Sequence, residues 1–152
     1  MSEEKKFGKV LAFPKPKNNG GGSTVQFSYN EDSGCGFLTV AKQNSDTDVK
    51  NARFDYNNKI GVKLSEKDMA SFVGVLSGKN KEINKGKGLY HQYKTTTTSI
   101  KMKLNDPKYG GYYISVIRSD GDNKNNVGVP ITEDEGIILE IYLKRCIERI
   151  FE

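Results

Sequence analysis

Ile60–Asp68 reads I-G-V-K-L-S-E-K-D, and Val127–Glu135 reads V-G-V-P-I-T-E-D-E. The two stretches match at a constant offset of 67 residues, with Ile60/Val127, Gly61/Gly128, Val62/Val129, Leu64/Ile131, Ser65/Thr132, Glu66/Glu133 and Asp68/Glu135 keeping their chemistry. In each, alternate apolar residues mark a half-buried strand. A hydroxyl followed three residues later by an acid then marks a capping box, the sequence sign of a helix N-terminus. Each copy is a strand running straight into a helix, and the recurrence points to a duplicated unit.

Reading outward from the first copy, strand chemistry precedes it at Phe7–Phe13, Thr24–Tyr29, Gly36–Lys42 and Lys50–Tyr56, with polar turn clusters between. Met69, Phe72, Val73 and Leu76 follow at helical spacing, and Gly78 suits the stop. Around the second copy, Thr98–Leu104 and Gly111–Arg118 alternate as strands joined through Asn105-Asp106-Pro107, and a polar loop is expected over Asp120–Asn125. Ile137–Phe151 is expected as a long helix, apolar over so broad a face that it should meet a partner on more than one side. The expected fold class is α+β: two repeated antiparallel four-stranded sheets, each followed by a helix. The expected organisation is one domain, 1–152, of two repeats (about 7–78 and 88–152) joined by a Lys/Gly-rich link, 79–87, read as a mobile solvated hairpin.

Composition narrows the function classes. The 152 residues are enough for one self-sufficient core. No apolar run approaches the ~18 residues of a membrane span, and the charged start lacks a secretory apolar segment. A cytoplasmic protein with no membrane partner is expected. The two cysteines, Cys35 and Cys146, match no disulfide framework or zinc spacing. His91 is the only histidine, Ser65 and Thr132 read as helix caps, and Lys85-Gly86-Lys87-Gly88 lacks the spacing and hydroxyl of a P-loop. No enzyme constellation, metal site or cofactor site is expected.

The formal charge is +5, with 24 basic residues against 19 acids, and six of the acids fall at or after Glu133. The remainder of the chain is therefore more basic than the total, which favours a polyanionic partner. If Ile100, Met102 and Leu104 pack beneath helices, Lys101 and Lys103 face the other way. Ile114 and Val116 inward would place Tyr113 and Ser115 beside those lysines. Phe37 lies opposite Leu38, and Arg53 opposite Phe54. Cations for phosphates and rings for unpaired bases suit single-stranded nucleic acid; a solvated face with ordinary strand tyrosines is the plainer alternative. The expected phosphate contacts are Lys42, Arg53, Lys59, Lys94, Lys101 and Lys103. The expected stacking rings are Phe37, Tyr56, Tyr112 and Tyr113.

The segment Arg53-Phe54-Asp55-Tyr56-Asn57-Asn58-Lys59-Ile60-Gly61-Val62-Lys63-Leu64-Ser65-Glu66-Lys67-Asp68 resembles the Whirly family of single-stranded DNA-binding proteins, and more distantly the PC4-like fold. The shared pattern is aromatic-Asp-aromatic, a lysine soon after, then a strand ending in Leu-Ser with an acid three residues on. The chain departs from it where Tyr56 replaces a usual tryptophan and where only Gly8-Lys9 echoes the family's lysine-glycine-lysine motif. The resemblance implies a non-enzymatic, largely sequence-independent binder of single-stranded DNA acting in replication, recombination or repair. It also implies self-association through the helices, as a dimer or tetramer, with DNA running between protomers. The lack of a plant targeting sequence points to a phage or bacterial member. RNA as the ligand on the same fold, and a structural module with incidental lysines, remain the alternatives.

Overall fold

The computed structural model describes residues 10–152. Among these, β1 (Leu11–Lys15), β2 (Ser23–Asn30), β3 (Cys35–Lys42) and β4 (Ile60–Leu64) form one antiparallel sheet in that order, followed by α1 (Glu66–Leu76). A second antiparallel sheet, β5 (Leu89–Tyr93), β6 (Thr96–Leu104), β7 (Tyr112–Asp120) and β8 (Asn123–Ile131), is followed by α2 (Glu133–Ile150). The expected fold class is the observed one. Both helices open with complete capping boxes, Ser65 with Asp68 and Thr132 with Glu135. Two orphan amides are thereby satisfied at each N-terminus.

The strands differ from expectation in several places. β1 runs through Pro14, which its edge position tolerates; the part of Phe7–Phe13 before Val10, with Gly8-Lys9, lies outside the described residues. Lys50–Tyr56 is not a strand. It contributes one bridge, Phe54 to Gln43, before a 3-10 turn at Tyr56–Asn58. Buried Gln43 explains this: its amide accepts from the Lys17 and Gly22 N–H groups and donates to the Lys17 and Thr47 carbonyls, pinning the flanking loops together. Leu89–Tyr93 is an additional strand, and the polar loop at 120–125 is a tight hairpin between longer strands. Thr96, Thr97 and Thr98 begin β6, which lies inside the sheet between β5 and β7. Leu104, expected in the core, is exposed at the end of β6.

The 79–87 link is docked rather than solvated along its length. Ile83 is only 2% exposed, Glu82 bridges Lys103, and the Leu104 N–H donates to the Lys81 carbonyl at 2.8 Å. Buried Ile83 anchors the segment in the same core as the sheets.

One apolar cluster joins both sheets and both helices. On the first sheet, Phe27 meets Phe72 of α1 edge to face, centroids 5.7 Å apart, a contact worth about 0.5–1.5 kcal/mol beyond burial. Each helix is also tied to the other repeat. The capping acid of α1, Asp68, lies 3.2 Å from His91 Nε2 on β5. The capping acid of α2, Glu135, pairs with Lys15 on β1. At the far end of α2, Arg149 Nε donates to Glu31 at 2.9 Å. No helix among the described residues is long and apolar enough to cross a membrane.

Candidate nucleic-acid interface

The outer face of the second sheet is built by parity. Ile100, Met102, Ile114, Val116, Val127 and Val129 are buried, so their neighbours in sequence turn away from the core. The ladder then sets Lys103 opposite Tyr113 and Tyr113 opposite Pro130; one row on, Lys101 faces Ser115 and Ser115 faces Gly128. Both lysines are exposed, and Tyr113 is 38% exposed. The ring of Tyr113 leans across Gly128, where any Cβ would collide with it. Glycine at that position lets the ring lie along the sheet. A lysine pair beside a flat ring is thus held by strand register, on elements that do not need to move.

Sequence reasoning missed two members of this face. Tyr90 on β5, 69% exposed, pairs with Ser99 in the row after Lys101, and Lys124 on β8 faces Ser119. The signal for Tyr90 was the short tyrosine-bearing stretch Leu89–Tyr93, just before the threonines of β6, which the neighbouring lysine-rich link obscured.

The other expected residues do not converge on this patch. Tyr112 points to the helix side: its hydroxyl donates to the Leu76 carbonyl at 3.3 Å, and a Cβ on Gly136 of α2 would come within 2.5 Å of its ring. Burial first, with Glu140 and Glu133 nearby, pushes its phenol pKa up. Tyr112 is a packing residue, and its expected stacking place belongs to the opposite face. Phe37 and Tyr56 lie over the first sheet. Phe37 sits between Ser28 and Lys63 in the ladder, and the Tyr56 hydroxyl accepts from Gln26 at 3.4 Å. Lys42 and Lys59 are exposed beside this sheet. Arg53 faces Asp46 at 3.8 Å in an open polar cleft with Asn18, Asn19 and Asp48. Lys94 caps the β5–β6 hairpin, its ammonium 5.4 Å from the Tyr93 ring centroid.

A groove of about 380 Å³ runs between the free edge of β4 and the β5–β6 hairpin, lined by Lys63, His91, Tyr93 and Arg118. Arg118 donates to the Gly61 carbonyl at 2.6 Å, so part of the β4 edge is already occupied.

The groups that could carry other chemistry are engaged elsewhere. Cys146 is buried in α2, and burial pushes its thiol up to about 12, far from a reactive thiolate. Cys35, between two glycines in the sequence, is also buried, its sulfur 2.9 Å from Ser33 Oγ. Among the described residues no cluster of His, Cys, Asp and Glu could hold a metal ion.

No sequence-family model matches the chain, and no curated protein does. Solved structures do match. WHY1 of Arabidopsis thaliana superposes with a TM-score of 0.73 at 14% identity, over 97% of this chain and 93% of that one. The fold is Whirly-like. The plant transcriptional regulator PBF-2 gives a TM-score of 0.73 at 14% identity, over 97% of this chain and 85% of that one. A guide-RNA-binding protein complex bound to its RNA gives 0.64 at 12% identity, over 93% and 89% of the two chains. The Whirly-like likeness thus spans both sheets and both helices. At such identities the side chains on the outer faces are this chain's own.

Proposed function

We propose that this protein binds single-stranded DNA, largely independently of sequence, and shields or presents unpaired strands during replication, recombination or repair. The observation that carries this reading is the Lys101–Lys103–Tyr113 patch, set side by side on a sheet face that the protein's own helices leave free. The lysines neutralise phosphates, and the ring stacks on a base that a duplex would hide. Arg53, Lys42, Lys59 and Lys94, with Phe37 and Tyr56, would extend contact to neighbouring edges of the same or another protomer. Self-association through α2 fits the exposed Ile137, Ile138 and Ile141. The guide-RNA complex among the structural neighbours favours a second reading, in which the same patch takes single-stranded RNA. Matched DNA and RNA oligomers in competition separate the two, since only RNA offers a 2′-hydroxyl.

The test is binding to a labelled poly-T oligomer across a salt series. Affinity should fall with salt. Lys101→Ala with Lys103→Ala should flatten the log–log slope by about 1.4, the value for two lost single-strand phosphate contacts. No binding at low salt, or an unchanged slope in the double variant, would remove the patch from this role.

A further inference from the structure

The docked link makes a walled recess on the candidate face. A cavity of about 300 Å³ lies between the link and β6–β7, lined by Glu82, Ile83, Gly86, Lys101, Lys103 and Tyr113, among others. That volume is at the low end of the ~300–1,000 Å³ of small-ligand sites, suited to one ring system rather than a run of stacked bases. Three of its walls are the lysines and ring already described. The fourth is acidic: Glu82 is exposed and has no ion pair among the described residues, despite the lysines beside it. A carboxylate is out of place in a surface serving only phosphates, which it repels. It is suited to a base edge that donates hydrogen bonds.

We propose that this recess is a slot for one unstacked nucleobase, and that Glu82 makes it prefer guanine. The inference rests on the nucleic-acid reading and adds a specificity-determining residue to it. Guanine presents two adjacent donors, N1–H and N2–H, which a carboxylate accepts side by side. Cytosine and adenine each present one amino donor next to a ring-nitrogen acceptor. Thymine places its single N–H between two carbonyls, which face the carboxylate unfavourably. Tyr113 supplies the stacking surface, and Lys101 and Lys103 hold the flanking phosphates. The position of Glu82 is set by the backbone: the bridge to Lys103 fixes the entry of the link, and Ile83 beside it is sealed in the core. Asn84 and Lys85 then take left-handed conformations, φ 49° and 55°, turning the chain back toward β5.

Fluorescence anisotropy at one salt concentration tests this, using a short dT oligomer and versions carrying isolated dG, dC or dA, spaced to prevent quadruplexes. The wild-type protein should bind the dG oligomer about fivefold or more tighter than plain dT, the lower range for a paired base contact. Glu82→Ala should bring the two within about twofold, by weakening dG as its paired acceptor is lost and by tightening dT as the repulsion disappears. Glu82→Gln should also close the gap, because its amide N–H can donate to a thymine carbonyl. Equal wild-type affinity for every oligomer, or a dG preference that survives in Glu82→Ala, overturns the slot and leaves the general binding intact. Failure to bind any oligomer overturns the nucleic-acid reading, and the slot with it.

Discussion

Gly61 and Gly128 occupy the same place in the two repeats, yet their surroundings differ. Nothing beyond its chain neighbours lies within 4 Å of a Cβ built at Gly61, whereas one at Gly128 runs into the ring of Tyr113. Gly61→Ala should therefore leave stability within about 0.5 kcal/mol. Gly128→Ala should cost about 1–3 kcal/mol through overpacking, or else lift Tyr113 off the sheet. Thermal melts of the two variants, with circular dichroism to confirm the sheets, check the contrast. In the nucleic-acid reading, Tyr113→Ala should cost about 1–3 kcal/mol of binding to a dT oligomer. Tyr112→Ala should instead lower the melting temperature, because that ring fills the space beside Gly136 and its hydroxyl reaches Leu76. The glycine pair was plain in the sequence, but the need for it was not. Its cause is a ring on a neighbouring strand, and ladder register decides which of two adjacent tyrosines supplies that ring.

The helices and strands were legible where apolar period and capping agreed. Both capping boxes form, and of the expected stripe Met69, Phe72 and Leu76 are buried while Val73 is half-buried against the core. The reading failed where a polar side chain set the local path. Lys50–Tyr56 has strand composition, but the hydrogen bonds of Gln43 hold its neighbourhood as a loop. The lysine-rich link has the composition of a solvated segment, yet Ile83 ties it to the core. The candidate face was half legible. Lys101, Lys103 and Tyr113 followed from alternation, whereas Tyr90 and Glu82 arrive from elements that composition had hidden. For α2, Leu139, Leu143 and Cys146 are buried, while Ile137 and Ile141 remain 63% and 62% exposed on the opposite side. If that side mediates self-association, Ile137→Glu with Ile141→Glu should reduce the particle to a monomer by light scattering without loss of helicity. A monomeric wild-type protein would remove the proposed interface.

Across the whole molecule the repeats exchange helices' anchors. Asp68 of the first repeat reaches His91 of the second, and Glu135 of the second reaches Lys15 of the first. With one core shared between both halves, fragments 10–78 and 88–152 should each fail to melt cooperatively when expressed alone, and a sharp transition in either would show an independent unit. Glu135 also gives a pH signature. Burial raises its carboxyl pKa, but bonds from Lys15 and Thr132 outweigh that and leave it below the usual range. A folded-state value lower than the unfolded one favours folding at neutral pH, and that contribution disappears as pH falls through and below the carboxylate range. Glu135→Gln should therefore cost about 1–3 kcal/mol at neutral pH and progressively less in acid, read from denaturant melts across pH. An equal cost at every pH would place the effect in packing rather than charge.

Period, capping and repetition are local properties of the chain, and from them two sheet-and-helix units and the outward parity of Lys101, Lys103 and Tyr113 could be read. Whether Tyr112 faces the helices, where the link docks, and which residues clamp one unit to the other depend on contacts between residues far apart in sequence. Those contacts are chosen by what the shared core can bury, a condition met only once both sheets and both helices are in place.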